Sequence, residues 1–200
     1  SEFLARIVVA SFNLPNLPEK WQEDEDSVED IFERLKGSSP GEKRAYVLWE
    51  PYVTKSMELG DVHILLDSSK LTGYIVDVLV VQRDFLSENE AVVRKVVECY
   101  FRAAYTYSTS PGGMTKLVLE DAGKGELTSR QAEGIVKGIA WKNTIENYAH
   151  LGVTPAAGVM HIEDMINNIA DILVKTDALA ENPLENKAHT LFYDTILKNI

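Results

Sequence analysis

The side chains able to do chemistry in this chain are few and scattered. Its four histidines, His63, His150, His161 and His189, show no i,i+4 pairing, and none neighbours a cysteine. Neither His-Glu-x-x-His nor Cys-x-x-Cys, the spacings that hold zinc, is therefore present. His161 stands two residues before Glu163, which alone is too small a donor set for a metal. Nucleophile-elbow, phosphate-loop and dinucleotide glycine patterns are absent, and Gly112-Gly113 reads as a turn because no strand precedes it. The single cysteine, Cys99, cannot make an internal disulfide and reads as a small buried hydrophobe. No nucleophile is set beside a base. The expectation is a protein that is not an enzyme, with no catalytic residue, no metal and no cofactor.

Two places stand out for binding. In Trp49-Glu50-Pro51-Tyr52 an apolar run ends in an indole and an acid, and a helix opens at once. Trp49 can supply a flat wall or an N–H donor and Glu50 an acceptor. The amides near Tyr52 can form an anion pocket, because the first N–H groups of a helix have no internal partner. The same spacing also describes a core tryptophan beside a well-capped helix. The second place is Asp77, flanked by Ile75, Val76, Val78, Leu79 and Val80. If that run is a central strand, its carboxylate needs a partner or an opening to solvent. It is then a ligand contact, a hinge anchor, or an aspartate capping a nearby loop.

These residues must be positioned by a chain of 200 residues, 45% hydrophobic and 26% charged, with a formal net charge of −11. The length suffices for a full core. An acidic surface repels phosphate backbones and anionic lipid, so nucleic-acid and membrane-surface binding are excluded as expectations. A small anion can still be held locally by backbone amides. No apolar run reaches the roughly 18 residues needed to span a bilayer, and no fixed-period repeat is visible.

The front of the chain reads as α/β. Residues 3–12 are ambiguous in period and lean to helix. The prolines of 13–18 break it, and a helix follows over about 27–36 with Ser27 as N-cap and a Val28, Ile31, Phe32, Leu35 stripe. Continuous apolar runs at 45–49, 62–66 and 74–81 read as strands covered on both faces, as in parallel sheets, with a short helix from Pro51 to Leu59 between the first two. From Ser87 onward the pattern is helical. Capping boxes are expected at Ser87/Glu90 and Thr128/Gln131. Turns are expected at 111–113 and after Gly152, and further helices near 114–122, 128–139, 141–151 and 162–173, with a last one beyond Pro183.

The segments WEPYV, ILLDSSKL, GYIVDVLVV and QRDFL, between Tyr46 and Phe85, resemble the nitrate/sulfonate/taurine/bicarbonate branch of periplasmic solute-binding proteins of ABC transporters. RDFLSENEAVVRKVVECYFRA matches the helix that follows in that branch. GIAWKNTIENYAHLGV resembles members labelled phosphate-binding. The resemblance implies a type II periplasmic-binding fold. Residues 1–74 would form the second, ligand-closing α/β lobe. Residues 75–200 would return a strand to the first lobe and add a helical C-terminal region. The first lobe's sheet, and the strand before Ser1, would lie outside this chain.

Ser1, Glu2, Trp49, Glu50, Tyr52 and Asp77 would then line half of an inter-lobe cleft. Its ligand would be a small anion, either a planar oxyanion or an amino-sulfonate whose ammonium meets Asp77. The partner would be an inner-membrane ABC permease, and the location periplasmic or membrane-anchored. Left without neighbours, strand 75–81 would be an apolar edge inviting self-association. Two other readings share the fold. One is a sensory or cell-envelope module that binds without transport. The other is a thiamine-pyrimidine-precursor synthase, whose cysteine-rich motif a chain with Cys99 alone lacks.

Overall fold

Several of the described helices can be traced to a local device that starts or ends them. The computed structural model describes residues 2–12, 17–18 and 20–200, so most of the expected proline break at 13–18 lies outside the described residues. The ambiguous first run is helical, α1 (Glu2–Phe12), with Ile7 buried. Helix α2 (Val28–Lys36) starts where Ser27 Oγ accepts from the Asp30 N–H at 3.1 Å. Arg34 of α2 pairs with both Glu23 and Glu25, drawing the acidic run 23–26 back onto its own helix. Helix α3 (Tyr52–Met57) follows the apolar segment 45–49.

The back half is a succession of helices. These are α4 (Arg83–Glu88), α5 (Glu90–Ser108), α6 (Pro111–Ala122), α7 (Ser129–Gly138), α8 (Thr144–His150), α9 (Ile162–Lys175) and α10 (Thr195–Lys198). Single 3-10 turns lie at Ser68–Lys70 and Ala188–Leu191. The Thr128/Gln131 capping box is present, with both reciprocal bonds made at 2.9 and 3.2 Å. A second box, Asn143/Glu146, opens α8. Gly152, at φ 71°, closes α8 in the left-handed region open to glycine. The Ser87/Glu90 box does not form. The helix there starts four residues earlier, at Arg83, and breaks at Asn89. Helix α6 starts on Pro111, three residues before the expected Met114.

Packing runs α6 on α7, α1 on α9, α2 on α3, and α5 on both α4 and α6, with α3 on α7 joining front to back. The α1–α9 contact is tied by charge. Arg6 Nη1 donates to the Thr176 carbonyl at 2.7 Å, and Lys175 Nζ donates to the Ala10 carbonyl at 3.3 Å. Arg6 thereby places a cation at the carboxyl end of α9, where carbonyls lack helical partners and the dipole is negative. At the α3–α7 crossing, Gln131 Nε2 donates to Glu58 Oε2 at 3.1 Å, and Gly134 lets α7 approach Thr54 closely.

The α/β expectation is wrong for this structure. Helix accounts for 54% of the described residues, and no strand or sheet occurs among them. This overturns the type II periplasmic-binding-like lobe. The three apolar runs at 45–49, 62–66 and 74–81 are non-helical, but none forms a ladder. The reason is physical. A continuous apolar run rich in β-branched residues resists helix formation, yet a strand satisfies its main chain only through a neighbour. Here none of the three runs finds one.

The consequence is a thin core. Among the described residues the buried apolar side chains are Ile7, Val28, Val93, Phe101, Ala132, Met165, Ala170, Ala188, Ile196 and Leu197, whereas the side chains of Ile64, Leu65, Ile75, Val76, Val78, Leu79 and Val80 are exposed. The chain exposes 14105 Å², where a compact monomer of its mass, 22.3 kDa, exposes about 9,400 Å². Much apolar surface of the front half remains in water.

A Cβ at Gly134 would stand 2.7 Å from Thr54 Oγ1. Gly134→Ala is therefore expected to cost about 1–3 kcal/mol through overpacking. In a Thr54→Ala background the same change should be neutral or stabilising by up to about 1 kcal/mol, the helix-propensity gain of alanine over glycine. Urea denaturation of the four proteins of the cycle measures this. Equal costs in both backgrounds would show that the α3–α7 approach is not governed by this contact.

Candidate functional site

Local sequence brings three of the six expected site residues together, and it uses two of them up. Trp49 is 51% exposed. Its carbonyl accepts from the Tyr52 N–H at 2.9 Å, closing a turn into α3. Its indole N–H has no hydrogen-bond partner among the described residues. Glu50, half-buried, folds back on the helix it precedes. One carboxylate oxygen accepts from the Thr54 N–H at 3.2 Å and the other from Thr54 Oγ1 at 3.0 Å. Its stem lies beside the end of α7, where a Cβ on Gly138 would be 3.9 Å from Glu50 Cγ.

This arrangement closes the helix end. Tyr52 and Thr54 donate their amides to Trp49 and to Glu50, and Glu50 sets a negative charge where an anionic ligand would have to sit. The amides near Tyr52 thus meet an internal carboxylate, as in any side-chain cap. Tyr52 itself turns the other way. Its hydroxyl donates to Glu29 Oε1 at 2.7 Å. Its ring packs on Phe32 at 5.3 Å between centroids, and Lys55 Nζ sits 4.9 Å over it. The hydrogen bond to Glu29, with some burial, pushes the Tyr52 phenol up to about 12. The same bond holds the Glu29 carboxyl below its ordinary value.

The remaining residues lie apart. Glu2 forms an i,i+4 ion pair with Arg6 at 2.6 Å, which helps hold the arginine against α9. Asp77 is exposed; with no strand around it, its carboxylate is solvated and needs no partner. Ser1 lies outside the described residues. No hydrogen bond or ion pair among the described residues joins Glu2 or Asp77 to the 49–52 segment.

A shallow concavity lies elsewhere among the described residues. It is an open depression of about 660 Å³ between α6 and α7, lined by Leu117, Val118, Glu120, Asp121 and Ile135. Its two carboxylates do not suit an anion. No cluster of three or more histidine, cysteine or acidic residues among the described residues is arranged to hold a metal ion. Cys99, expected to be buried, is exposed on α5. His161 serves as N-cap of α9, its Nδ1 accepting from the Glu163 N–H at 3.2 Å, and its ring meets Phe192 edge-on.

Sequence reasoning missed the partners of Glu50 and Tyr52. The first was available, because Glu50 and Thr54 stand at helical i,i+4 spacing. The second was not, because Glu29 approaches Tyr52 only through the packing of α2 on α3. No protein-family model, curated protein or solved structure matches the chain.

The Tyr52–Glu29 bond gives a signed pH response. A phenol whose folded value is raised contributes stability that is complete below its ordinary value near 10 and is lost as pH rises towards about 12. Ultraviolet titration, with the Tyr52→Phe protein as the difference blank, should show this phenol ionising well above the ordinary value near 10. Glu29→Gln should bring its midpoint down. An unchanged midpoint would mean that Glu29 does not hold the proton on Tyr52.

Proposed function

We propose that this chain is a solute-binding component that captures a small anion or sulfonate for an ABC importer, without catalysing a reaction on it. The observation that carries the proposal is Trp49, a half-exposed indole with an unpartnered N–H at the end of an apolar segment. A flat apolar face with one free donor on its edge suits a compact oxyanion or sulfonate with an apolar part, since the donor orients and the ring desolvates. The motif resemblance of Tyr46 to Phe85 supplies the importer context.

The geometry reshapes the expected contacts. Glu50 is committed to Thr54 and Tyr52 to Glu29, so they serve as supports that fix the start of α3 beneath Trp49. They are not placed as direct ligand contacts. Asp77 is exposed and is not joined to the Trp49 segment, so it takes no part in this contact. No cation adjoins Trp49 in the hydrogen-bond and ion-pair networks of the described residues, so affinity for a bare anion should be weak in this chain.

A thermal-shift screen against nitrate, bicarbonate, phosphate, taurine and alkyl sulfonates tests the proposal, because binding to the native state raises the melting temperature by mass action. A ligand at about 100 times its Kd should contribute near 2.7 kcal/mol. Trp49→Ala should remove the shift while leaving the unliganded melting temperature nearly unchanged, since the indole is exposed. A shift that survives Trp49→Ala would place the site elsewhere, and no shift with any of these solutes would refute the ligand class.

A further inference from the structure

We propose that Ile75–Val81 is a self-association edge through which two copies of this chain pair as antiparallel β-strands. The main chain of these seven residues neither donates nor accepts a hydrogen bond among the described residues. Side chains 75 to 80 are all exposed, Val80 to 83%. A segment lacking both main-chain partners and side-chain cover is completed by another extended chain, which supplies both at once. Extended, it places Val76, Val78 and Val80 on one face and Ile75, Asp77, Leu79 and Val81 on the other. Both faces suit a strand.

The charges favour a second copy as the occupant. Between Lys70 and Arg83 the only charged residue is Asp77, so this stretch stands apart from the acidic excess that gives the chain −11. Two copies can approach here without opposing acids. In the two-fold antiparallel register centred on Val80, residues 78–82, all outside the helices, pair with one another, and Asp77 faces Arg83, the first residue of α4, in the second copy; the symmetry makes this contact twice. Arg83 uses one donor on the Thr190 carbonyl, at 2.6 Å, and a guanidinium has five. A register centred on Val78 would instead bring the two Asp77 carboxylates into diagonal proximity, so charge selects between registers.

Surface area points the same way. The 14105 Å² exposed exceeds the area of a compact monomer by several times the roughly 1,600 Å² of a standard interface. A dimer can cover surface that the monomer leaves wet. The pairing needs no ligand and stands or falls separately from the solute-binding proposal.

Sedimentation velocity over a wide concentration range, with amide-I infrared spectra of the same samples, tests it. The expected result is a monomer–dimer equilibrium with a β-sheet band that grows with the dimer fraction. Val78→Lys should leave monomers. Asp77→Lys, opposing Arg83 twice, should weaken association about tenfold, and Asp77→Lys with Arg83→Glu should recover most of the loss. Retained far-ultraviolet helix signal shows that each variant is folded. Any of four results would overturn the proposal. These are a monomer at every concentration, a dimer without the β band, a β band in the monomer (pairing within one chain), or association insensitive to Val78→Lys. A charge-swapped protein as weak as Asp77→Lys alone would overturn the register.

Discussion

A buried or desolvated main chain must hydrogen-bond to something, and in this chain only the helices manage it alone. An α-helix satisfies its own amides and carbonyls with a neighbour four residues away. A strand depends on a second segment that sequence distance does not provide. That asymmetry divides the molecule. Where apolar residues recur at helical spacing, from α5 to α9, local bonding and modest packing suffice. Where they run continuously, at 45–49, 62–66 and 75–81, the chain stays non-helical, and Ile64, Leu65 and 75–80 are left exposed.

The elements that did read correctly from sequence are those whose information is local. Ser27 caps α2, Thr128 and Gln131 make their reciprocal box, and Gly152 ends α8. Each device lies within four residues of what it controls. The three strands failed for the converse reason. Composition and apolar continuity read 45–49, 62–66 and 74–81 as strands, but a sheet is a relation between segments, and no strand forms among the described residues. Asn89 shows a finer limit. The capping-box spacing of Ser87 and Glu90 was present, yet the start at Arg83 took Ser87 into α4, and its hydroxyl bonds the Asp84 carbonyl instead.

The candidate site divides along the same line. The turn from Trp49 into α3 and the bond from Glu50 to Thr54 are local, and the spacing of the residues implied a capped helix as one of its two readings. The redirection of Tyr52 to Glu29 depends on α2 packing against α3, which the sequence did not disclose. The outcome is a helix start closed by its own acid, with an indole left outside. An exposed tryptophan and an exposed apolar segment are the two surfaces that the proposed solute and the proposed second copy would cover. The solute and the second copy address different parts of that exposure.

Residue-resolved hydrogen exchange of the chain in dilute and concentrated solution tests this account most directly. In the dilute sample the amides of 76–81 should exchange at nearly the rate of an unstructured chain while the centres of α5 and α9 are protected, and at high concentration protection should appear among the amides of 78–81. Strong protection of 76–81 in the dilute monomer would contradict the account, since those amides would already have partners within a single chain.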